Sequence, residues 1–279
     1  MQIQEPRITK EEILFLSDAN FGPEHVCVVT GAGAGIGRAV SVVMAANGLK
    51  VLGLDRNAAE AEKTKQMAQE MSGEMDFLKA DLTLDADIEK SVNQAAKLGS
   101  IKYLFNIAGI QHIDPVENFP MQKYDKMQAL MLRAPFYLSK LCIPHMRQTK
   151  DGCGVIGNMA SVHAHICTKN KPVYNITKFG LRALSQSISA EGEGKIRSFT
   201  VSTGFVKTPL ALNQIPEQAK QLEISQEEVV QKVMMDRSRV KEMMTPVHVA
   251  NLFLFGISNF GSYLVGGDML FDGGMTLTY

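Results

Sequence analysis

The stretch of sequence that decides the fold runs from residue 25 to residue 48 and reads HVCVVTGAGAGIGRAVSVVMAANG. An apolar run of strand length comes first, a glycine-rich turn follows, and residues 35–48 have helical periodicity. Without side chains in such a turn a phosphate can approach the backbone, and the amides at the helix N-terminus face its charge. The stretch therefore predicts a dinucleotide-binding unit rather than a plain tight turn.

The same alternation of strand-like and helix-like segments continues almost to the end of the chain. Stretches 35–48, 58–72, 84–98, 121–147 and 173–190 have helical periodicity. Alternating strands and helices predict an α/β fold with a parallel sheet covered on both faces. The apolar runs of strand length are HVCVVT (25–30), KVLGLD (50–55), DFLKAD (76–81), IKYLFNIAG (101–109), GVIGNMAS (154–161), RSFTVSTG (197–204) and MLFDGG (269–274).

Domain organisation follows from where this alternation starts and breaks. Residues 1–23 precede it and are interpreted as an N-terminal extension, in which Thr9 and Glu12 suggest a capping box before a short helix. Residues 24–279 are interpreted as one dinucleotide-binding and catalytic Rossmann-like domain. Residues 205–244 are polar and mostly helical, and we interpret them as a lid over a site.

Composition limits the classes of function. The 279 residues carry 29 basic and 29 acidic side chains, and this balance argues against nucleic acid or an anionic membrane as a partner. No apolar run approaches the roughly 20 residues of a membrane span. The four cysteines are scattered, as is typical of buried thiols in a reducing compartment. We therefore expect a cytoplasmic protein without a metal site.

The choice between NAD and NADP depends on the end of the second apolar run. Asp55 lies there, and a carboxylate in that place binds the ribose hydroxyls of NAD and repels the 2′-phosphate of NADP. The neighbouring Arg56 favours the opposite choice, but Ala34 adds no further positive charge within the turn. We expect NAD. Asp81-Leu82 and Asn106-Ile107-Ala108-Gly109 end two further strands and are candidates for cofactor contacts.

A second group of residues indicates acid–base chemistry. Tyr174 and Lys178 lie one helical turn apart in YNITK, so that both face the same side of a helix. Ser161 ends the fifth apolar run, where its hydroxyl can bind a substrate oxygen while the tyrosine handles the proton. The spacing of tyrosine and lysine alone is weak evidence for this chemistry, and the position of Ser161 strengthens it.

With these motifs the chain resembles the short-chain dehydrogenase/reductase family from about residue 25 onward. The ordered set is TGAGAGIG, Asp55, ADL, NIAG, Ser161, YNITK, GFVKTP and FDGG. The resemblance implies a seven-stranded Rossmann-like domain, a homotetramer in which helix 121–147 and the Tyr174 helix pack between subunits, and Ser161, Tyr174 and Lys178 as catalytic residues. The implied cofactor residues are Gly31, Ala34, Gly35, Ile36, Gly37, Asp55, Arg56, Asp81, Leu82, Asn106, Ala108, Gly109, Tyr174, Lys178, Val206 and Thr208.

Within the family, the segments NIAGIQH, ENFP, ASVH, NKPVY and GFVKTPLALNQI resemble the D-3-hydroxybutyrate dehydrogenases. That resemblance implies a small-molecule substrate, a 3-hydroxy or 3-oxo acid whose carboxylate is held by Gln111, His163, Lys171 and Gln214. Two alternatives stay open. One is a family oxidoreductase acting on another secondary alcohol, such as a hydroxysteroid or a sugar. The other is a cofactor-binding protein with weak catalysis.

Some positions depart from the family pattern. Met131 lies where the family usually has an asparagine that anchors a water beside the lysine, and Gln128, one turn earlier, is a candidate to replace it. Thr203-Gly204 replaces the usual Pro-Gly, and Phe205 and Met275 stand where tryptophan is common. The resemblance also implies that Tyr174 acts as a phenolate. We expect Lys178 and an oxidised nicotinamide to lower its pKa from ~10 to about 7, roughly 4 kcal/mol of stabilisation.

Overall fold

The computed structural model describes residues 4–277 and contains one seven-stranded parallel sheet. Its order is β3-β2-β1-β4-β5-β6-β7, which confirms the predicted fold class. The apolar runs form strands because both sheet faces are covered, and β1 and β4–β6 are almost wholly buried. The strands are β1 (His25–Thr30), β2 (Lys50–Asp55), β3 (Met75–Lys79), β4 (Ser100–Asn106), β5 (Gly154–Met159), β6 (Ile196–Thr203) and β7 (Asp268–Phe271).

Helices cover both faces of the sheet in two layers. One apolar cluster joins Cys27 and Val29 of β1 to helices α1 and α10, and the other joins Val26 and Val28 to α3 and α5. Alternate residues of one strand thus pack against the helices on opposite faces of the sheet. The helices are α1 (Gly35–Ala46), α2 (Ala58–Glu70), α3 (Asp85–Leu98), α4 (Met121–Gln128), α5 (Ala134–Met146), α6 (Pro172–Glu191), α7 (Pro209–Leu212), α8 (Ile215–Leu222), α9 (Gln226–Glu228) and α10 (Pro246–Ile257).

The strand order places a binding crevice at the middle of the sheet. β1 pairs with β2 on one side and β4 on the other, so the chain winds outward in both directions from β1. Loops from the carboxyl ends of β1 and β4 therefore separate and leave a crevice between them, where ligands of open α/β sheets bind. This is the edge to which the glycine turn belongs.

The long helix predicted over 121–147 is interrupted. Residues Ala129–Arg133 form a π-helical turn between α4 and α5, and Met131 is buried within it. Such turns insert one extra residue per turn and are frequent at functional sites. Periodicity did not reveal the turn because Ala129–Arg133 are themselves helical and continue directly from α4 into α5.

Residues 205–244 form the predicted helical segment with a small core of its own. Helices α7 to α9 and a π-helix at Val229–Met234 enclose a cluster that includes Ile215, Val230 and Met234. A bridge between Val206 and Met244 ties the two ends of the segment together. The segment therefore stands on the sheet edge as one packed unit.

The N-terminal segment differs from its prediction. Among residues 4–23 only Lys10–Glu12 forms a helical turn, of the 3₁₀ type, and the Thr9 side chain caps no backbone amide. Asn251 accepts from the Leu14 amide at 3.0 Å and donates to the Glu12 carbonyl, while Asn47 binds Leu16 and Leu14 in the same way. These side chains satisfy the backbone that a helix would otherwise have to pair. The first three residues of the predicted extension and the last two of the chain lie outside the described residues, and the division at residue 23 stays a prediction.

Two further observations concern the environment of the chain. Within residues 4–277 no helix is both long and apolar enough to cross a membrane. Cys27 and Cys142 are buried, as expected of small apolar residues, but Cys167 is exposed and Cys153 is half-buried, which corrects the expectation for these two.

Candidate functional site

A cleft with a volume of about 480 Å³ opens where the carboxyl ends of the strands meet the lid. Most of the site residues that were predicted from the sequence line this cleft. Thirteen of the sixteen expected cofactor residues line it, together with Ser161 and the four residues expected to hold a carboxylate. Asp81, Leu82 and Asn106 are absent from its lining. The Asn106 amide instead donates to Asn158 at 2.8 Å and joins β4 to β5, and its role toward a cofactor stays a prediction, as do those of Asp81 and Leu82.

The glycine turn is shaped by close backbone contacts. A Cβ at Gly37 would lie 2.0 Å from the carbonyl oxygen of Gly31, so only glycine fits there. Gly35 has a φ of +54°, and a Cβ on it would press on the Thr208 side chain from the lid. The turn therefore requires glycine at both positions, and it brings the N-terminus of α1, which favours anions, to the cleft.

Asp55 is fixed at the rim of the cleft. Its carboxylate accepts from the Gly33 amide and from the Asn57 amide, both at 2.8 Å. Asp55 therefore stays beside the glycine turn, as a ribose-binding carboxylate must. Arg56 also lines the cleft, with an exposed side chain. The turn, the carboxylate and the volume together fit a nicotinamide dinucleotide.

Thr30 organises this half of the cleft although the sequence did not single it out. Its hydroxyl donates to the Phe105 carbonyl and accepts from the amides of Ile107 and Ala108. One side chain thus locks the loop after β4 against the glycine turn. Its place at the end of β1 is the only signal that sequence offers.

Ser161, Tyr174 and Lys178 come together in the other half of the cleft. Ser161 follows β5, and α6 carries Tyr174 and Lys178. The side chains of Ser161 and Tyr174 both line this half of the cleft. The buried Lys178 Nζ lies 5.2 Å from the centre of the Tyr174 ring and donates to the Met159 carbonyl at 2.7 Å. The geometry allows a proton to move between a substrate oxygen and the phenol.

Burial shifts the pKa values of Tyr174 and Lys178 in the protein alone. Burial raises the pKa of Tyr174 to about 12, and the Ser161 hydrogen bond offsets only part of that rise. Burial also lowers the pKa of Lys178 to about 8. The protein alone therefore holds the phenol protonated. The expected lowering of this pKa by Lys178 together with an oxidised nicotinamide stays a prediction.

Polar donors converge on the far end of the same cleft. Gln214 precedes α8 and donates from its amide to the Gln111 side-chain oxygen at 3.2 Å, which leaves the buried Gln111 Nε2 without a partner among the described residues. Lys171 precedes α6, and burial alone lowers its pKa. An unpaired amide donor and a desolvated ammonium in one cleft make a site suited to an anion.

His163 lies between the two groups with both ring nitrogens engaged. Its Nδ1 is 3.1 Å from the Ser161 hydroxyl, and its Nε2 is 2.9 Å from the Thr168 hydroxyl. Burial, followed by the charges of Lys171 and Lys178, lowers the pKa of His163 to about 4. The imidazole is therefore neutral at physiological pH, and it can bind a carboxylate only by releasing one of these hydroxyls.

The positions that depart from the family pattern are mostly near the cleft. Phe205, Thr203, Gly204 and Met275 line it. Met131 instead packs with Met127 and Val173, and the Tyr174 ring packs against that cluster. Gln128 is absent from the lining of the cleft, and its role in a proton path stays a prediction.

The N-terminal segment reaches the glycine turn from outside. The Glu5 carboxylate accepts from the Gly35 amide at 2.7 Å and pairs with Arg38 at 3.6 Å. Arg38 also donates to the Gly33 carbonyl. No sequence pattern joins residue 5 to the turn, since the contact depends on how the segment crosses α1.

Comparisons with known proteins agree with this geometry. A family model described as enoyl-(acyl carrier protein) reductase matches residues 31–276. The D-beta-hydroxybutyrate dehydrogenase of Rhizobium meliloti is 30% identical and covers 89% of this chain and 97% of its own. That of Cupriavidus necator is 28% identical over 88% and 96%. The structure of L-sorbose reductase from Gluconobacter frateurii, complexed with NADPH and L-sorbose, superposes with a TM-score of 0.87 at 24% identity, covering 94% of this chain and 100% of that one.

Proposed function

The chain belongs to the short-chain dehydrogenase/reductase family, and from that premise we propose that it transfers a hydride between NAD and a short 3-hydroxy acid such as D-3-hydroxybutyrate. Membership makes it an oxidoreductase with a nicotinamide cofactor. The finer proposal rests on the anion-binding end of the cleft, where Gln111, Lys171 and Gln214 face the acid–base group of Ser161, Tyr174 and Lys178.

NAD is the proposed cofactor because a carboxylate stands where the adenosine ribose would bind. Asp55 is held by two backbone amides, so it cannot easily swing away from a 2′-phosphate. The bound nicotinamide would supply the hydride acceptor and, when oxidised, a positive charge beside the phenol. The glycine turn with Ile36, Ala108, Gly109, Val206 and Thr208 would hold the rest of the dinucleotide.

In the proposed mechanism the protein orients the substrate and moves one proton. Ser161 donates a hydrogen bond to the substrate oxygen, and Tyr174 takes the hydroxyl proton during oxidation or returns it during reduction. Because burial raises the pKa of Tyr174 to about 12, the phenol must lose its proton before each oxidation. Lys178, fixed by the Met159 carbonyl, keeps a positive charge under the ring.

Recognition of the acid is the observation that carries the substrate proposal. A carboxylate at the far end of the cleft would satisfy the unpaired Gln111 amide and the desolvated Lys171 ammonium at once. Such charge-assisted hydrogen bonds contribute about 1.5–3 kcal/mol each. A neutral alcohol would leave the buried Gln111 amide and the half-buried Lys171 ammonium without partners, and we expect it to be a poor substrate.

Lys171→Ala tests this recognition. We expect the KM for 3-hydroxybutyrate to rise roughly tenfold or more, in line with the loss of one charge-assisted bond, while kcat/KM for 2-butanol changes little. Rates are followed at the absorbance of reduced nicotinamide. Lys169→Ala, two residues away on an exposed position, is the matched control and should behave as the native protein. A native enzyme indifferent to the carboxylate would instead favour another secondary alcohol.

The proposed oligomer is a homotetramer. The helices α5 and α6 expose the large apolar side chains of Phe136 (58%), Ile176 (49%) and Phe179 (42%). Packing of these helices against a second copy would cover them.

A further inference from the structure

The Glu5 side chain of the N-terminal segment lies on the glycine turn. One of its carboxylate oxygens accepts from the Gly35 amide at 2.7 Å. Gly35 is the first residue of α1, so its amide is one of those that no carbonyl within the helix can satisfy. The N-terminus of a helix carries partial positive charge, and a dinucleotide-binding turn uses it to hold the diphosphate. A carboxylate of the chain itself is thus bonded at the proposed diphosphate site.

The Gly35 backbone faces two spaces at once. It lines the cleft, and it also lines a smaller crevice that Glu5 borders. Glu5 is absent from the lining of the cleft, so its carboxylate reaches the turn from outside. An anion in the cleft and the Glu5 carboxylate would therefore share one helix N-terminus.

Arg38 sets the balance of charge beside the turn. Its side chain is only 11% exposed, and its guanidinium lies 3.6 Å from the Glu5 carboxylate and 2.6 Å from that of Glu60. Glu60 also pairs with Lys63 at 2.6 Å. The two cations and two carboxylates of this group balance. Loss of the Glu5 charge would therefore leave one positive charge in excess, and Arg38 holds it at the turn through the Gly33 carbonyl.

The Glu5 contact lies beyond the anchors that hold the rest of the segment. Asparagine side chains bind the amides of Leu14 and Leu16, each at 3.0 Å. Within residues 4–12 no residue is fully buried. Glu5 can therefore leave the Gly35 amide while the later part of the segment stays docked.

We propose that Glu5 competes with the cofactor diphosphate for the N-terminus of α1, so that the N-terminal segment weakens dinucleotide binding. When the diphosphate binds, the like charges repel and the Glu5 carboxylate leaves the Gly35 amide. The coupling is reciprocal, since the dinucleotide weakens docking of Glu5 by the same factor by which docking weakens dinucleotide binding. The inference rests on dinucleotide binding at the glycine turn. It depends neither on the choice between NAD and NADP nor on the substrate.

Glu5→Gln tests the competition, because glutamine keeps an acceptor oxygen for the Gly35 amide and removes only the charge. At about 10 mM salt, where the screening length is ~30 Å, we expect the dissociation constant of NADH to fall by roughly threefold to tenfold. Binding is read from the fluorescence of the reduced nicotinamide. At about 1 M salt the screening length is ~3 Å, and the difference from the native protein should shrink below about twofold.

Glu11→Gln is the matched control. It removes the same charge from an exposed position of the same segment, and it should bind NADH as the native protein does. NADPH carries the same diphosphate and should show the same change in Glu5→Gln. Binding by Glu5→Gln that is no tighter than binding by Glu11→Gln would overturn the competition.

A second readout follows the segment instead of the cofactor. Arg7 is exposed and lies two residues after Glu5. We expect trypsin to cleave the native protein after Arg7 faster with saturating NADH than without it, and we expect a smaller acceleration in Glu5→Gln. Mass spectrometry of the chain measures both rates. NADH that slows this cleavage, or leaves it unchanged, would refute the release of Glu5. Both effects in a protein that leaves hydroxy acids unchanged would refute the substrate proposal alone.

Discussion

Replacing Asp55 by asparagine should change the choice of cofactor through charge alone. The carboxylate bonds two backbone amides at 2.8 Å, so it is fixed where it would accept the ribose hydroxyls of NAD. Hydrogen bonds to a charged group contribute about 1.5–3 kcal/mol, which corresponds to roughly 10- to 150-fold in a dissociation constant. Removing the charge also removes the repulsion of a 2′-phosphate. We therefore expect the preference for NADH over NADPH, as a ratio of dissociation constants, to fall by at least roughly tenfold.

The ratio of the two dissociation constants is the quantity to measure, because damage to the loop weakens the binding of both cofactors and cancels in the ratio. Asparagine has one acceptor oxygen for two amide donors, so the glycine turn loosens and both cofactors bind more weakly. Because the chain has no tryptophan, binding can be read from the fluorescence of the reduced nicotinamide without interference. Arg56→Ala is the companion variant. If the native protein prefers NADPH and Arg56→Ala binds NADPH more weakly, Asp55 does not select the cofactor. Arg56 would then be the residue that selects it.

Three further predictions concern catalysis, pH and assembly. Tyr174→Phe keeps the ring packing and removes the acid, so turnover should fall by at least about 10²-fold with NADH affinity unchanged; activity within tenfold of native would exclude the acid–base role. His163 has a folded pKa of about 4 against ~6.5 unfolded, held down by burial and the charges of Lys171 and Lys178, so the unfolded chain binds more protons between these values. Stability should therefore fall by roughly 3 kcal/mol from pH 6.5 to 4, and denaturant unfolding of His163→Leu should lack that part of the slope. Phe136→Glu should halve the mass measured by light scattering, whereas Val240→Glu, on a similarly exposed lid position, should not.

Much of the fold could be predicted because buried parallel strands have a simple sequence pattern. HVCVVT and KVLGLD form β1 and β2 with the expected bounds, and α6 begins and ends within one residue of its prediction. The predictions fail where hydrogen-bond partners that are distant in sequence replace local ones. Asn47 and Asn251 hold the N-terminal segment extended, and no pattern within residues 1–23 contains either asparagine.

The candidate site divides in the same way. Residues in ordered motifs, such as Asp55, Ser161 and Tyr174, line the cleft that the sequence led us to expect. The state of the phenol could not be predicted, because desolvation depends on everything packed around it. The engagement of both His163 nitrogens depends on Thr168, a residue that belongs to no motif. The sequence thus indicated which side chains come together. The structure was needed to show which of their atoms already have hydrogen-bond partners.

The docking of the N-terminal segment has a consequence for the order of events during synthesis. The Leu14 amide bonds a side chain 237 positions later, and Asn259 bonds Asp18 across 241 positions. Both contacts therefore form only after α10 and Asn259 have been synthesised, and closing so long a loop is slow. The bonds of the same segment with Asn47 and Gly35 span far fewer residues and can form earlier. Completion of the docking can thus report that the rest of the domain is complete.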